Sequence, residues 1–449
     1  MPSYPSQRDA NRRMTSLTLR VYSALWWALL PFILMRLWWR GRHESGYRRH
    51  IVERFGFVQA GPSSLIWVHA VSVGETRAAE PLIRALLRQY PTHQILLTHM
   101  TPTGRATGAA LFGKEVRVMQ SYLPYDTLSM TRRFIRAIHP SLCILMETEV
   151  WPALIHNCHQ QAVPVALVNA RLSEKSLRSA QRLSTLFTDT AKKIRLFAAQ
   201  TQADAERLRQ ISGAPVAVTG SLKFDIAPPV AMLALGAQWR RQFGPRPVLL
   251  CASTREGEET LLLDAYMRAT LPQETLLIIV PRHPQRFSAV AQLLEQRGLH
   301  YLRRSQLGQD ALSPHVHTLL GDSLGEMFAF HAACDMAFIG GSLLPHGGQN
   351  LIEALACGKP VFVGPHTYNF AQITQDAVTA GVAVRVTDAD ALFDQWLEWL
   401  IDTRRLQQAS ADAAEFTKAH HGATEKTVRL LSEVLNQLQV NPERLSSKA

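Results

Sequence analysis

The sequence has few of the residues that build disulfide frameworks or metal sites. Its 449 residues include only five cysteines, an odd number, and most of them stand inside apolar runs. Cysteines of this kind are typical of small core residues in a reducing compartment. The run His156 to His159 (HNCH) has no second pair of cysteines or histidines at zinc spacing, so we interpret it as structural. The cysteines therefore predict neither a disulfide framework nor a zinc site.

Two common catalytic motifs are also missing. The chain has no G-x-S-x-G segment, so no nucleophile elbow is predicted. Gly108 to Lys114 has the spacing of a P-loop, but Glu115 stands where Ser or Thr would hold magnesium, and the residues between the glycines favour a helix. Asp388 and Asp390 lie at an expected helix start, where capping explains them better than a metal site. We predict no metal and no cofactor.

Acidic residues are scarce relative to basic ones, and the imbalance is concentrated near the first residue. The chain has 48 Lys and Arg against 36 Asp and Glu, a net charge of +12 and a pI near 9.8. Met1 to Arg54 contains ten arginines and three acidic residues, so this segment carries +7 of the total. A basic segment beside an apolar run favours an anionic membrane surface over a nucleic-acid groove. No nucleic-acid partner is predicted.

The chain has no uninterrupted apolar run of the roughly 20 residues that a bilayer span requires. Val21 to Met35 is free of charge and is accompanied by tryptophans, but Arg36 ends it. A tilted span with a snorkelling Arg36 and a monotopic anchor both fit this segment. No small-residue cleavage site follows, so it is not interpreted as a removable signal peptide. We predict that residues 1–50 form a membrane anchor that is separable from the folded domains.

Strands and helices alternate from Ser64 onward, which predicts parallel sheets covered by helices on both faces. Pro228 and Pro229 interrupt the alternation, so a linker is predicted at residues 226–238. It separates a first domain at 51–225 from a second domain at 239–415, and a C-terminal helix is expected at 416–449. Ligands bind at the carboxyl ends of parallel strands, which favours an active site in a cleft between the two sheets.

Gly340 to Pro365 has the pattern of a phosphate-binding loop. An apolar strand, Met336 to Ile339, precedes four glycines, and a helix is expected to begin near Gln349. The glycine N–H groups and the helix N-terminus would face an anion, with Asn350 and Glu353 on one helix face. A tight turn with ordinary caps fits the same pattern equally well.

Polar residues also follow other strands. Glu75 comes directly after the first strand, at a helix N-terminus, where the dipole is expected to keep its carboxylate ionised. From position alone, a stabilising first-turn residue is the simpler interpretation of Glu75. Glu147 and Glu149 follow a second strand, Lys223 precedes the linker, and Arg282 follows a strand in the second domain, where it can clamp a phosphate.

Eleven short segments together resemble the 3-deoxy-D-manno-octulosonic acid (Kdo) transferases of lipopolysaccharide synthesis. They follow one another in order over nearly the whole chain, and the combination is highly specific. The segments are HAVSVGE from His69, TPTGR from Thr101, YLPYD from Tyr122, METEVWP from Met146, NARLSEKS from Asn169, GSLKFD from Gly220, STREGEE from Ser253, VPRHPQRF from Val280, GDSLGEM from Gly321, GGSLLPHGGQN from Gly340 and GPHTYNF from Gly364.

The resemblance implies an α/β enzyme of the GT-B glycosyltransferase fold, with two facing Rossmann-like doubly wound domains and an N-terminal membrane-anchoring helix. It implies metal-independent, inverting transfer of Kdo from CMP-Kdo to the lipid A precursor lipid IVA, on the cytoplasmic face of the inner membrane. Alternatives are a GT-B transferase that uses another nucleotide sugar, and a non-catalytic membrane lipid-binding protein.

The resemblance also implies roles for individual residues. Glu75 would be the general base, and Glu147 and Lys223 would stabilise the transition state. The residues implied to hold CMP are Pro281, Arg282, Leu324, Gly325, Glu326, Asn350, Leu351, Ile352 and Glu353.

Overall fold

The chain folds into two compact units, each built on one parallel sheet. The computed structural model describes residues 7–42, 45–62, 64–182 and 184–440. Unit 1 comprises the described residues up to Ile226 together with those from His421, and unit 2 comprises Ala227–His420. Each unit has a seven-stranded, wholly parallel sheet with helices on both faces, so the predicted α/β class is confirmed.

Unit 1 contains seven strands and nine α-helices in its described part, all numbered here in chain order. The strands are β1 (Leu65–His69), β2 (Gln94–His99), β3 (Val118–Tyr122), β4 (Leu142–Met146), β5 (Val165–Ala170), β6 (Leu196–Ala199) and β7 (Val216–Val218). The helices are α1 (Gln7–Arg40), α2 (Val73–Gln89), α3 (Pro102–Phe112), α4 (Leu128–Ile138), α5 (Pro152–Gln160), α6 (Glu174–Arg182), α7 (Ser184–Ala191), α8 (Gln202–Arg209) and α17 (Ala423–Val440).

The sheet of unit 1 is buried on both faces because alternate side chains of each strand point to opposite helix layers. Ile66 and Val68 of β1 pack in a core with α2 and α17, while Leu65 and Trp67 pack with α4 and α5. The strand order is β3-β2-β1-β4-β5-β6-β7. Strand order therefore reverses direction between β1 and β4, and a crevice forms at the carboxyl ends of strands at such a switch point.

Unit 2 repeats this architecture. Its strands are β8 (Val248–Thr254), β9 (Leu276–Pro281), β10 (Tyr301–Arg303), β11 (Thr318–Leu320), β12 (Met336–Ile339), β13 (Val361–Val363) and β14 (Ala383–Arg385). Its helices are α9 (Val230–Phe243), α10 (Glu258–Arg268), α11 (Phe287–Gln296), α12 (Met327–Ala333), α13 (Ile352–Ala356), α14 (Ala371–Thr379), α15 (Ala389–Ile401) and α16 (Thr403–Ala419). The order β10-β11-β9-β8-β12-β13-β14 puts its switch point between β8 and β12.

Helix α1 packs against unit 1. From Leu17 to Arg40 it is long and apolar enough, by length and composition, to cross a bilayer. Yet Tyr22 donates a hydrogen bond to the buried Asp126, 2.9 Å away, and Leu30 lies in a cluster with Tyr125 and Met130. One side of α1 therefore forms part of the packing of unit 1. That the anchor is separable from the folded domains stays a prediction.

The segment predicted as a linker is largely helical. Residues 230–238 belong to α9, and the Trp239 ring of this helix packs on Phe330 of α12 with centroids 4.9 Å apart. Pro228 and Pro229 precede the helix, where a missing N–H costs nothing. The prolines thus mark a helix start, and from Ala227 onward the chain belongs to unit 2.

The C-terminal region holds two helices where one was predicted from residue 416. Helix α16 ends at Ala419 in unit 2, and α17 starts at Ala423. Val428 and Leu431 of α17 lie in the core of unit 1. Asp225 accepts hydrogen bonds from the N–H groups of Gly422 and Thr424, at 2.8 and 2.5 Å, and so fixes the start of α17.

We expect Leu431→Ala to destabilise unit 1 selectively. Leu431 is fully buried, so the substitution should cost about 2–5 kcal/mol. Hydrogen exchange of full-length protein should become faster in β1 and β4 and stay unchanged in β8 and β12. Ile401→Ala, at a side chain that is 75% exposed, is the control and should change little. Faster exchange confined to unit 2 would contradict the assignment of α17 to unit 1.

Candidate active site

Glu75 lies at the switch point of unit 1, in the first turn of α2. The chain leaves β1 through Ala70 and Val71 and enters α2 at once. The Glu75 carboxylate turns back on this connection and accepts hydrogen bonds from the Val71 N–H at 2.8 Å and the Ser72 hydroxyl at 3.2 Å. These bonds hold the side chain at the carboxyl end of β1, beside the strand end of β4.

Burial changes the acid strength of Glu75. It raises the pKa of this carboxyl from 4.5 to about 7, the charges of Glu149 and Glu147 act in the same direction, and the bonds from Val71 and Ser72 oppose the shift. The expectation that the helix dipole keeps the group ionised is therefore wrong, because desolvation outweighs the helix terminus. A carboxyl with a pKa near 7 is suited to take up a proton at neutral pH.

Glu147 occupies the end of β4 in a left-handed backbone conformation, with φ of 56°. Few residues other than glycine adopt this conformation. The carboxylate forms an ion pair with Lys223, 3.0 Å apart, and both side chains are only 15% exposed. The structure thus brings together two of the predicted site residues, which are 76 positions apart in the sequence.

Asn169 positions both members of this ion pair, and sequence reasoning had given it no role. It also has a positive φ, 51°, and lies in an irregularity of the pairing between β5 and β6. Its Nδ2 donates to Glu147 at 3.4 Å, and its Oδ1 accepts from the Leu222 N–H at 3.1 Å. Its only signal in the sequence was the NARLSEKS segment, which indicated a family but not a contact.

Glu149 is a second carboxyl with altered acidity at this strand end. Burial raises its pKa to about 7, and the negative charge of Glu147 adds to the effect. Glu75, Glu147 and Glu149 thus form an electrostatically coupled group in which Lys223 supplies a positive charge. Such a group can exchange a proton near neutral pH while it retains a fixed ion pair.

In unit 2, a buried carboxylate organises the glycine-rich loop. Glu258, at the start of α10 and fully buried, accepts hydrogen bonds from the N–H groups of Arg255, Gly341 and Leu343 at 2.8, 2.5 and 2.9 Å. It joins the ends of β8 and β12 across the switch point. The expectation that the glycine N–H groups face an anionic ligand is therefore wrong for Gly341, whose N–H is already bonded to a protein carboxylate.

The helix predicted after the glycine-rich loop is shorter and later than expected. It begins at Ile352 rather than near Gln349 and ends at Ala356. The Asn350 side chain precedes it, donates to Glu353 at 3.2 Å and accepts from the Ile352 N–H at 3.2 Å. The expectation that Asn350 and Glu353 share one helix face is therefore wrong, because Asn350 lies in the loop before the helix and reaches Glu353 from there.

The other residues implied for the donor site lie at the same edge of the unit 2 sheet. Pro281 ends β9, and the N–H of the exposed Arg282 donates to Thr254 at 2.9 Å. Leu324 is exposed, Gly325 has a φ of 82°, and Glu326 directly precedes α12. Glu326 pairs with Arg304, which follows β10, at 2.8 Å. This edge thus presents cationic, carboxylate and amide groups on consecutive loops.

The rejected motifs have structural roles. Gly108 lies within α3, so the P-loop-like segment is helical as expected. Asp388 caps α15 through the Ala391 N–H at 2.8 Å, and Asp390 pairs with Arg268 at 2.7 Å. Within the part of the chain that the structure describes, no three His, Cys, Asp or Glu side chains are grouped to hold a metal ion.

Comparison with known proteins gives consistent matches over most of the chain. The family described as 3-deoxy-D-manno-octulosonic-acid transferase (kdotransferase) matches residues 49–226, and glycosyl transferases group 1 matches residues 300–416. The chain is 45% identical over 429 residues to the 3-deoxy-D-manno-octulosonic acid transferase of Bordetella pertussis, covering 92% of this chain and 99% of the relative. It is 35% identical to the transferase of the same name from Haemophilus influenzae, covering 93% and 98%.

The solved structures that resemble the chain include the UDP-GlcNAc 2-epimerase from Neisseria meningitidis bound to UDP-GlcNAc. The match has a TM-score of 0.56 and 16% identity, and it covers 82% of this chain and all of that one. At this identity the likeness concerns the fold alone: two doubly wound domains.

The raised pKa of Glu75 predicts a pH-dependent gain in stability for Glu75→Gln. A carboxyl that binds its proton more tightly when folded stabilises the protein fully below pH 4.5, and this contribution is lost as pH rises toward 7. The neutral glutamine should therefore raise the melting temperature by a few degrees at pH 8 and much less at pH 5. Glu206→Gln, on the exposed face of α8, is the control. Equal shifts at the two pH values would show that Glu75 is not desolvated.

Proposed function

Because the chain belongs to the 3-deoxy-D-manno-octulosonic acid (Kdo) transferases, the GT-B glycosyltransferases of lipopolysaccharide core biosynthesis, we propose that it transfers Kdo from CMP-Kdo to lipid IVA. In this proposal unit 1 takes the lipid acceptor and unit 2 takes the nucleotide sugar. The observation that carries it is the coupled carboxyl group at the switch point of unit 1, with Glu75 poised near neutral pH.

Glu75 acts as the general base of the transfer. Its carboxylate removes the proton of an acceptor hydroxyl, and the oxygen forms a bond to the anomeric carbon of Kdo as the bond from that carbon to the CMP phosphate oxygen breaks. CMP leaves with the electron pair of that bond. A single base opposite the leaving group gives in-line displacement with inversion. The pKa of about 7 supports this role, since a base is most effective when its pKa lies near the working pH.

Glu147 and Lys223 stabilise the transition state as a pair. Bond breaking at the anomeric carbon leaves positive charge on the sugar, which a fixed carboxylate attracts. The 3.0 Å ion pair holds the Glu147 carboxylate in place beside a positive partner, so neither charge is isolated in this largely buried site. Asn169 is a positioning residue for this pair through its bonds to Glu147 and to Leu222, the residue before Lys223.

The donor is held by loops at the carboxyl edge of the unit 2 sheet. CMP carries one phosphodiester charge, which Arg282 can neutralise as it leaves, without a metal. Residues 324–326, with Glu326 anchored by Arg304, form a second contact, and residues 350–353 form a third. Glu258 acts indirectly, because it fixes the backbone of the glycine-rich loop that leads to Asn350.

The site of action is the cytoplasmic face of the inner membrane, where a lipid acceptor and a soluble nucleotide sugar are both accessible. The apolar helix α1 and the ten arginines among the first 54 residues support this location. Arginines near a lipid surface suit an acceptor that carries phosphates.

Glu75→Gln should reduce Kdo transfer by roughly 100- to 10,000-fold, because the acceptor hydroxyl loses its base. Purified full-length protein, CMP-Kdo and lipid IVA are incubated, and mass spectrometry measures the product. The rate of the unchanged protein should rise with pH up to about 7 and then level off. Glu206→Gln is the matched control with unchanged activity. Near-normal transfer by Glu75→Gln would overturn the assignment of the base.

Arg282→Ala and Asn350→Ala should each weaken CMP binding by about tenfold or more, because each removes a charged or polar contact to the nucleotide. Isothermal titration of the full-length protein with CMP and with UDP measures both affinity and base preference. Arg268→Ala, whose partner Asp390 lies on the helix α15, is the control and should bind CMP normally. Tighter binding of UDP than CMP would favour a transferase that uses another nucleotide sugar.

A further inference from the structure

Helix α1 has two opposite faces that meet different surroundings. Leu19, Ser23 and Leu30 are 3–7% exposed, and Trp26 packs beside Tyr125 and Trp151 with ring centroids 6.0 and 6.4 Å apart. At 100° per residue these positions lie on one side of the helix. Six apolar side chains on the other side are 52–65% exposed: Leu17, Val21, Leu25, Phe32, Met35 and Trp39.

The buried face is fixed to unit 1 by polar contacts as well as packing. The Tyr22 hydroxyl donates to Asp126 at 2.9 Å, and the Ser23 hydroxyl accepts from the Leu128 N–H at 3.1 Å. Asp126 also accepts from the N–H groups of Ala153 and Leu154, at 3.1 and 2.8 Å, at the start of α5. The carboxylate therefore connects α1 to the helix that follows Glu147 and Glu149 in the chain.

This attachment extends over almost a membrane thickness. Ile33, Leu34 and Leu37 pack in the same cluster as Leu30, Tyr125 and Met130. From Leu19 to Leu37 the helix rises about 27 Å, while the hydrocarbon core of a bilayer is about 30 Å thick. A helix that crossed the bilayer along this length would carry the surface of unit 1 into the hydrocarbon.

That surface is too polar for the hydrocarbon. Leu128, which bonds Ser23, starts α4, and the same helix exposes Arg132, Arg133 and Arg136. Each arginine at the bilayer centre costs several kcal/mol. In addition, Arg20 and Arg36 lie at the two borders between the packed face and the apolar face of α1. In a helix that lies in the membrane plane, side chains at these borders face the lipid headgroups.

The C-terminal end of α1 is also built for the headgroup region. Arg42 and Arg48 lie over the Trp38 ring, 4.2 and 5.1 Å from its centroid, and Arg48 donates to the Trp38 carbonyl at 2.9 Å. Tryptophan and arginine are the side chains that anchor proteins at the membrane interface. These contacts keep the Trp38 ring and the two arginines close together at the C-terminal end of the apolar face.

We infer that α1 lies in the plane of the membrane, with its outer apolar face in one leaflet of an anionic lipid bilayer and its inner face on unit 1, and that it does not cross. The inference rests on the proposed membrane attachment and adds its topology. This position of α1 keeps the carboxyl edge of unit 1 at a fixed distance from the lipid surface, because Asp126 accepts hydrogen bonds from both α1 and α5.

The depth of α1 in lipid tests this inference. Single cysteines at Val21, Leu25, Phe32 and Met35 are spin-labelled in full-length protein in which Cys357, the half-buried native cysteine, is replaced by serine. The protein is bound to vesicles of equimolar phosphatidylcholine and phosphatidylglycerol, and oxygen accessibility reports depth. An in-plane helix should give four similar depths, about 5–10 Å below the headgroups.

A depth that increases from Val21 to the middle of the helix by more than about 10 Å would show a crossing helix and overturn the inference, leaving membrane attachment and transfer intact. Labels that contact only water on bound protein would overturn it as well. Failure of the protein to bind the vesicles would contradict the proposed membrane attachment and, with it, the in-plane position of α1. The transfer assay with CMP-Kdo and lipid IVA is independent of these three results.

A matched pair of substitutions separates the two faces. Leu30→Ser, on the packed face, should lower the melting temperature of the full-length protein in detergent. Phe32→Ser, on the exposed face, should leave the melting temperature unchanged and weaken vesicle binding roughly tenfold. Equal effects of the two variants on stability would contradict a helix with one packed and one lipid-facing side.

Discussion

Every strand of a sheet runs in the same direction, and this constraint decides where the candidate site lies. The chain leaves all seven strands of a unit at one edge, so residues from distant parts of the sequence converge on consecutive loops. At the switch point the connections from neighbouring strands turn to opposite faces and leave room between them. Glu75 and Glu147 follow the two strands that flank this point in unit 1, and Glu258 and Gly341 follow the corresponding strands in unit 2.

The acidity of the site depends on burial rather than on helix geometry. A helix N-terminus stabilises a carboxylate by about 0.3–1 kcal/mol at an exposed site and up to about 2 kcal/mol in a partly buried one, which corresponds to roughly 0.2–1.5 pKa units. Desolvation of a buried carboxyl can shift its pKa by several units. In Glu75 and Glu149 the larger effect prevails, and the neighbouring charge of Glu147 adds to it. Lys223 limits the accumulation of negative charge by pairing with Glu147.

Local patterns were sufficient to predict the α/β class, the strands that bear the site and the polar residues at their ends. They could not predict Asn169 or Glu258, because the partners of these residues lie far away in the sequence: Leu222 is 53 positions from Asn169, and Gly341 is 83 positions from Glu258. The prolines before α9 looked like a linker because a proline at a helix start and a proline in a loop have the same local signature. The packed face of α1 could not be predicted for a similar reason. Both faces of the helix are apolar, and only the contacts with unit 1 distinguish them.

The placement of α17 has a consequence for synthesis. Unit 2 is inserted between two parts of unit 1, so the sheet of unit 1 is translated long before the helix that covers one of its faces. At about 5–20 residues per second, the ribosome needs roughly 10–40 s to make the residues between Ile226 and α17. During this interval the apolar side chains of α2 and β6 that share a core with α17 have no cover from it. The nascent chain thus exposes an apolar surface of unit 1 until α17 has been made.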